Sequence, residues 1–133
     1  MKIVVDTNVW VSGLLTPHGL AAQVVRGCLA QDWVLCVDAR ILSEYREVLK
    51  RPKFGFDHDR VDEILDHLFH IAEHINARML LKRLPDPDDE PFLEVAVAAA
   101  AQFLITGNTK HFPARLHGVR TVSPAEFVNA FNR

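Results

Sequence analysis

The chain has 133 residues, 49% hydrophobic and 24% charged, with a formal net charge of −2. That length suits a single domain over residues 1–133, with a core that needs no covalent staples. No apolar run reaches the roughly 20 residues of a membrane span, and only three apolar residues separate Lys2 from Asp6, too few for a secretion signal, so cytoplasmic residence is expected.

Near-neutral charge argues against a protein coated in basic surface, though not against a local basic strip. Lys50, Arg51 and Lys53 form one small cluster, and Lys82 with Arg83 forms another; either could touch phosphates, and solvated loop charge is the expected reading of each. Cys28 and Cys36 are too few for a disulfide framework and have no metal-type spacing, so both read as small core residues.

In chain order, Ile3 to Val5 is a β-branched run of the kind buried on both faces of a parallel sheet, and it stops at Asp6-Thr7-Asn8. Val9 to Leu15 begins a helix that Pro17 and Gly19 interrupt, and Leu20 to Leu29 resumes helical spacing. Val34 to Val37 is a second strand. Asp38 starts a helix running to about Lys50, closed by Pro52.

Asp57 to Glu73 is the clearest amphipathic helix, with Val61, Ile64, Leu65, Leu68 and Phe69 on one stripe. A short Met79 to Leu81 segment and a polar loop from Pro85 to Glu90 lead to a helix expected from Glu90 to Gln102. Phe103 to Thr106 and Val119 to Val122 are two further strands. Ser123, Pro124 and Glu126 then carry the signature of a capped helix start. Strands alternating with helices imply an α/β sandwich around a parallel sheet with right-handed crossovers.

Strand ends in a parallel sheet share one edge, and that edge is where open α/β folds bind ligands. Asp6 and Asn8 follow the first strand and Asn108 follows the Phe103 to Thr106 strand. Glu44 lies in the helix after the second strand, and Asp86-Pro87-Asp88-Asp89-Glu90 precedes the alanine-rich helix. Each has a structural explanation alone: Asp6 or Asn8 as a helix cap, the acidic run as a favourable helix start, Asn108 as a turn residue. Together they would repel unless a cation sat among them, and an oxygen-only ligand set favours Mg²⁺ or Mn²⁺. Such a cation suits phosphodiester hydrolysis. His67, His70 and His74 share one side of the long helix without a converging carboxylate and read as exposed helix histidines. His111 reads as a loop residue that contacts substrate or packs beside Phe112.

Val4-Val5-Asp6-Thr7-Asn8-Val9, Glu44, the Asp86 to Asp89 run and Ile105-Thr106-Gly107-Asn108-Thr109-Lys110-His111-Phe112 resemble the PIN domain. Within it they are similar to bacterial toxin components of toxin-antitoxin systems, the VapC-like ribonucleases. The motifs occur in family order, and Val119 to Phe131 matches the family's closing strand and helix. The resemblance implies a PIN-like (Rossmann-like) three-layer sandwich, a central parallel sheet flanked by helices. It also implies an Mg²⁺- or Mn²⁺-dependent endoribonuclease, the toxin of a type II pair. Asp6, Glu44 and Asp89 would be the catalytic acids, with Glu90 and Asp86 as alternatives for the third. Asp6, Asp89 and Asn108 would hold metal, and Thr7, Asn8 and Thr106 would position substrate. Asn108 stands where the family has a fourth acid; its amide offers a carbonyl oxygen without charge. The implied partners are RNA, a cognate antitoxin protein and, compatibly with the family, a second copy of the chain.

The alternative reading is a catalytically weak PIN domain that binds RNA or a protein partner. A haloacid-dehalogenase-like phosphatase fits less well, because its second aspartate, two residues after the first, is here Asn8.

Overall fold

In the computed structural model, which describes residues 1–132, six strands form one sheet: β1 Lys2–Val5, β2 Val34–Val37, β3 Glu73–His74, β4 Phe103–Ile105, β5 Arg115–Leu116 and β6 Val119–Val122. Their spatial order is β3-β2-β1-β4-β6-β5, and every pairing is parallel except the antiparallel β5–β6 edge. Six α-helices flank it: α1 Thr7–Leu15, α2 Leu20–Leu29, α3 Ala39–Leu49, α4 His58–Ile71, α5 Glu90–Ala98 and α6 Pro124–Phe131. The mostly parallel, helix-flanked sheet is the architecture expected from the sequence.

The central strands explain their own composition. Ile3, Val4 and Val5 are fully buried, as are Leu104 and Ile105 of β4 beside them. β-Branched and aliphatic side chains fill both faces of a pleated strand with little rotamer loss. Cys28 and Cys36 are also buried, and burial holds their thiols protonated, at about 12 and about 11. α1 and α2 approach closely through Gly13, where a Cβ would lie 2.7 Å from Val25 Cγ2. None of the helices among the described residues is long and apolar enough to cross a membrane.

Topology fixes where a ligand can sit. From β1 the chain moves outward to β2 and β3, then returns through α5 to β4 on the other side of β1. The strand order therefore reverses between β1 and β4. At such a switch point the crossovers diverge and leave a crevice at the carboxyl ends of the strands. Asp6 and Thr106 are the residues immediately beyond those two ends.

Two helix ends differ from the expected ones. α4 ends at Ile71 rather than Glu73, because Glu73 and His74 pair with β2 as the edge strand. The alanine-rich helix ends at Ala98, not Gln102. Ala100 adopts φ 53°, and the amides of Ala100 and Ala101 donate to the carbonyls of Val97 (3.1 Å) and Ala96 (2.9 Å). That is a Schellman closure, which ordinarily uses glycine. α2 ends the same way, with Gln31 at φ 61° and the amides of Gln31 and Asp32 donating to Cys28 and Gly27. The hairpin-like β5 also went unexpected, since two residues are too few to show a period.

Left-handed backbone costs a residue bearing a Cβ about 1 kcal/mol relative to glycine. Ala100→Gly and Gln31→Gly are each expected to stabilise the protein by about 0.5–1 kcal/mol, read as a higher urea midpoint with unchanged slope. Ala98→Gly, two residues earlier and helical, is expected to shift the midpoint the other way. The same direction of shift for Ala98→Gly and Ala100→Gly would contradict this account of the helix end.

Candidate active site

Asp6 is the centre of the carboxyl edge. It occupies the N-cap of α1, where its Oδ1 accepts from the Thr7 amide at 2.8 Å. Its Oδ2 accepts from Thr106 Oγ1 at 2.7 Å and from Asn8 Nδ2 at 3.3 Å. The residue is thus both a helix cap and a bridge to the next strand, and it is only 6% exposed. All of these donors are neutral. Burial raises its proton affinity above the ordinary carboxylate range; the Thr106 hydrogen bond opposes this, and Asp89 adds to it.

The neighbours are fixed by the same strand ends. Thr106 is fully buried; its hydroxyl donates to Asp6 and accepts from the Asn108 amide at 3.0 Å. Asn8 Oδ1 accepts from the Gly107 amide at 3.0 Å, so Asn8 ties the start of α1 to the end of β4. Thr7 is buried, and its hydroxyl donates to Glu44 Oε2. Through Thr7, then, the first strand end is joined to α3.

Glu44 is half-buried, and burial raises its proton affinity, with Asp6 and Asp88 contributing. Its direction is set by the next residue. Tyr45 is fully buried, and its hydroxyl donates to the carbonyl oxygen of Val5, the last residue of β1. This contact fixes the rotation of α3 against the sheet. Sequence gave no sign of it, because an aromatic on a helix face reads as ordinary core.

The acidic run divides by role. Asp86 accepts from the Asp88 amide at 2.9 Å and caps the 3₁₀ turn Pro87–Asp89. Glu90 uses both oxygens on the preceding loop: Oε1 accepts from Arg83 Nη1 at 3.1 Å and Oε2 from the Leu84 amide at 3.0 Å. Asp89 is different. Its Oδ2 is buried and accepts no hydrogen bond, and the nearest basic group is His111 Nδ1 at 3.5 Å. Burial raises the proton affinity of Asp89, Asp86 adds to it, and His111 opposes it.

Asn108 is exposed, and its backbone carbonyl accepts from the His111 amide. The expected residues therefore share one edge: Asp6, Thr7, Asn8, Glu44, Asp89, Thr106 and Asn108, with Asp86 and Glu90 in the loop beside it. Among the described residues, no three His, Cys, Asp or Glu side chains converge closely enough to form a ready-made cation cage. His67, His70 and His74 are exposed, each with a ring nitrogen against a backbone carbonyl. The sequence reading missed the Asp89–His111 contact, which depends on how two distant loops meet. It also missed Glu94, buried on α5 and held by Arg40 of α3 at 2.7 Å. That ion pair joins the two helices that carry Glu44 and Asp89.

The donor set suits a divalent cation. It consists of oxygens only, its acids all have raised proton affinity, and one buried carboxylate oxygen lacks a donor.

Comparison with known proteins fits this geometry. The PIN domain family model matches residues 2–110. An uncharacterised protein of Methanocaldococcus jannaschii is 25% identical over 145 residues, an alignment covering all of this chain and 93% of that one. The crystal structure of VapBC2 from Rickettsia felis, bound to a DNA fragment from their promoter, has a chain with a similar fold. Its TM-score is 0.59 at 15% identity, covering 92% of this chain and 98% of that chain.

Carboxylates with folded proton affinities above their unfolded values destabilise the fold once ionised. Their contribution is greatest when protonated and is lost as pH rises from about 4, the unfolded range, through the folded values. In EDTA at pH 7, Asp89→Asn is therefore expected to stabilise the protein by about 1 kcal/mol, or roughly 3–5 °C in Tm. The gain should shrink as pH falls toward 4. A variant less stable than the wild type at pH 7 would contradict the strain assigned to this carboxylate.

Proposed function

The chain belongs to the PIN domain family, and from that premise we propose that it is a divalent-metal-dependent endoribonuclease, the toxin of a type II toxin-antitoxin pair. The observation that carries the reading is the placement of three acids at the switch point: buried Asp6 held only by neutral donors, Glu44 tied to its neighbour Thr7, and Asp89 with a buried oxygen that has no donor. Like charges at a partly buried edge are an unfavourable arrangement for a structural role. They are an economical one for binding Mg²⁺ or Mn²⁺.

In this reading Asp6 and Asp89 hold the cation through carboxylate oxygens, and Asn108 adds its amide oxygen. When bound, such a cation supplies Lewis-acid stabilisation of charge on a phosphoryl oxygen and acidifies water. Glu44 serves as the general base. Thr7 holds its Oε2, and no hydrogen bond from the described residues engages Oε1. Its raised proton affinity brings it closer to the operating pH, as a base requires. Water oxygen attacks phosphorus, the bond from phosphorus to the leaving ribose oxygen breaks, the water proton goes to Glu44, and solvent protonates the leaving oxygen. Thr7, Asn8 and Thr106 keep the acids and the strand ends in register.

A protein antitoxin that covers this edge and cytoplasmic residence follow from the toxin reading. The matched VapBC2 chain, from a complex named for both components, supports the antitoxin partner by analogy of fold. Self-association is compatible with it.

Cleavage of a labelled single-stranded RNA with Mn²⁺ tests the nuclease reading. Asp6→Asn and Asp89→Asn are each expected to lose about 100-fold or more of the wild-type rate. Equal rates in all three proteins would contradict the catalytic assignment. The neutral Asn108 favours a second reading, a PIN domain that binds without cutting. Asn108→Asp restores a charged ligand and is expected to tighten Mn²⁺ binding on the order of tenfold by calorimetry. Unchanged affinity would remove Asn108 from the metal set.

A further inference from the structure

The two small basic clusters of the sequence meet different fates in the fold. Around Pro52, Lys50 pairs with Asp62 at 2.7 Å, Arg51 pairs with Glu47 at 2.8 Å, and Lys53 lies over the Phe54 ring. Each of those cations therefore has a partner, an acid or a ring. In the second cluster Arg83 pairs with Glu90 at 3.1 Å, and Lys82 forms no ion pair among the described residues. Lys82 and Arg83 line a cleft of about 540 Å³ together with Lys110 and His111, and the buried side chains of Leu84 and Phe112 also line it. No acidic side chain lines this cleft. Among the described residues Lys82 and Lys110 form no ion pair, and both are exposed.

The cleft is built against the acid centre. Glu90, at the start of α5, holds the Arg83–Leu84 wall through two hydrogen bonds. On the other wall, His111 reaches Asp89 at 3.5 Å. Four basic side chains thus open directly beside an acidic centre, in a chain whose net charge is −2. The volume is that of a small-ligand pocket, enough for a nucleotide or two of one strand rather than a duplex.

We infer that the cleft formed by Lys82, Arg83, Lys110 and His111 binds the backbone phosphates of a single RNA strand next to the bond held at Asp6 and Asp89. The identity of the ligand rests on the nuclease reading. The acid centre repels a polyanion, and the cleft supplies the compensating attraction on one side of it. Lys82 and Lys110 contribute as unpaired charges, whereas Arg83 is steered by Glu90. Binding of this kind is insensitive to sequence and sensitive to salt, because it releases condensed counterions.

Fluorescence anisotropy of a labelled single-stranded RNA in EDTA tests the cleft independently of cleavage. The Lys82→Ala/Lys110→Ala double variant is expected to bind about tenfold or more weakly at low salt, and its salt slope should fall by about 1.4, or ~0.7 for each lost phosphate contact. Lys50→Ala/Lys53→Ala is expected to stay within about twofold of the wild type. Equal affinity and slope in the cleft variant would overturn the assignment, even if the wild type cleaves RNA. Conversely, a wild type that fails to cleave with Mn²⁺ but shows the predicted binding loss would contradict the nuclease reading alone. Loss of binding to a polyglutamate peptide with RNA binding intact would mark a surface for acidic protein and would also overturn the assignment.

Discussion

The hydrogen bond from Thr106 Oγ1 to Asp6 Oδ2 spans 2.7 Å in space and 100 residues in sequence. It closes the carboxyl edge of the sheet at the point where strand order reverses, and three further contacts of the site attach to one of its two ends. Asn8 and the Thr7 amide engage the same carboxylate, and the Asn108 amide engages the same hydroxyl. Only neutral donors satisfy Asp6, so its charge is held in place without being cancelled. A bare carboxylate kept buried in this way is poised for a cation and raises the free energy of the fold without one.

Much of this edge is legible in the sequence because of what a parallel sheet imposes. Ile3 to Val5 and Phe103 to Ile105 announce buried strands, and residues after such strands must emerge at a common edge. Asp6, Thr7, Asn8, Thr106 and Asn108 follow from that rule. Glu44 does not, since which way a helical carboxylate points depends on how α3 is rotated. Tyr45 sets that rotation through the Val5 carbonyl, a contact with no local signature. The run from Asp86 to Glu90 is legible as acidic but not as a division of labour. Only the folded loop shows that Asp86 caps a turn, Glu90 braces Arg83 and Leu84, and Asp89 is left with an unpartnered oxygen. The end of α5 was hidden for a different reason: glycine usually marks a Schellman closure, and here Ala100 takes that conformation.

Charge is arranged on a larger scale as well. Arg40 pairs with both Glu94 and Asp38 and joins α3 to α5. Lysines around Pro52 are absorbed by neighbours, while those beside Asp89 are left facing solvent. Paired charge therefore holds the helices that carry the acids, and unpaired charge of both signs lies at the open edge. That separation is what a protein needs if it must fold stably and still bind a cation and a polyanion at one place.

The central claim is that the edge built on Asp6 is a divalent-cation site. A crystal structure with Mn²⁺ soaked in, read by its anomalous signal, tests it most directly. The account predicts a peak ligated by carboxylate oxygens of Asp6 and Asp89 and absent in Asp6→Asn. A peak elsewhere, or one that survives the loss of the Asp6 carboxylate, would contradict it.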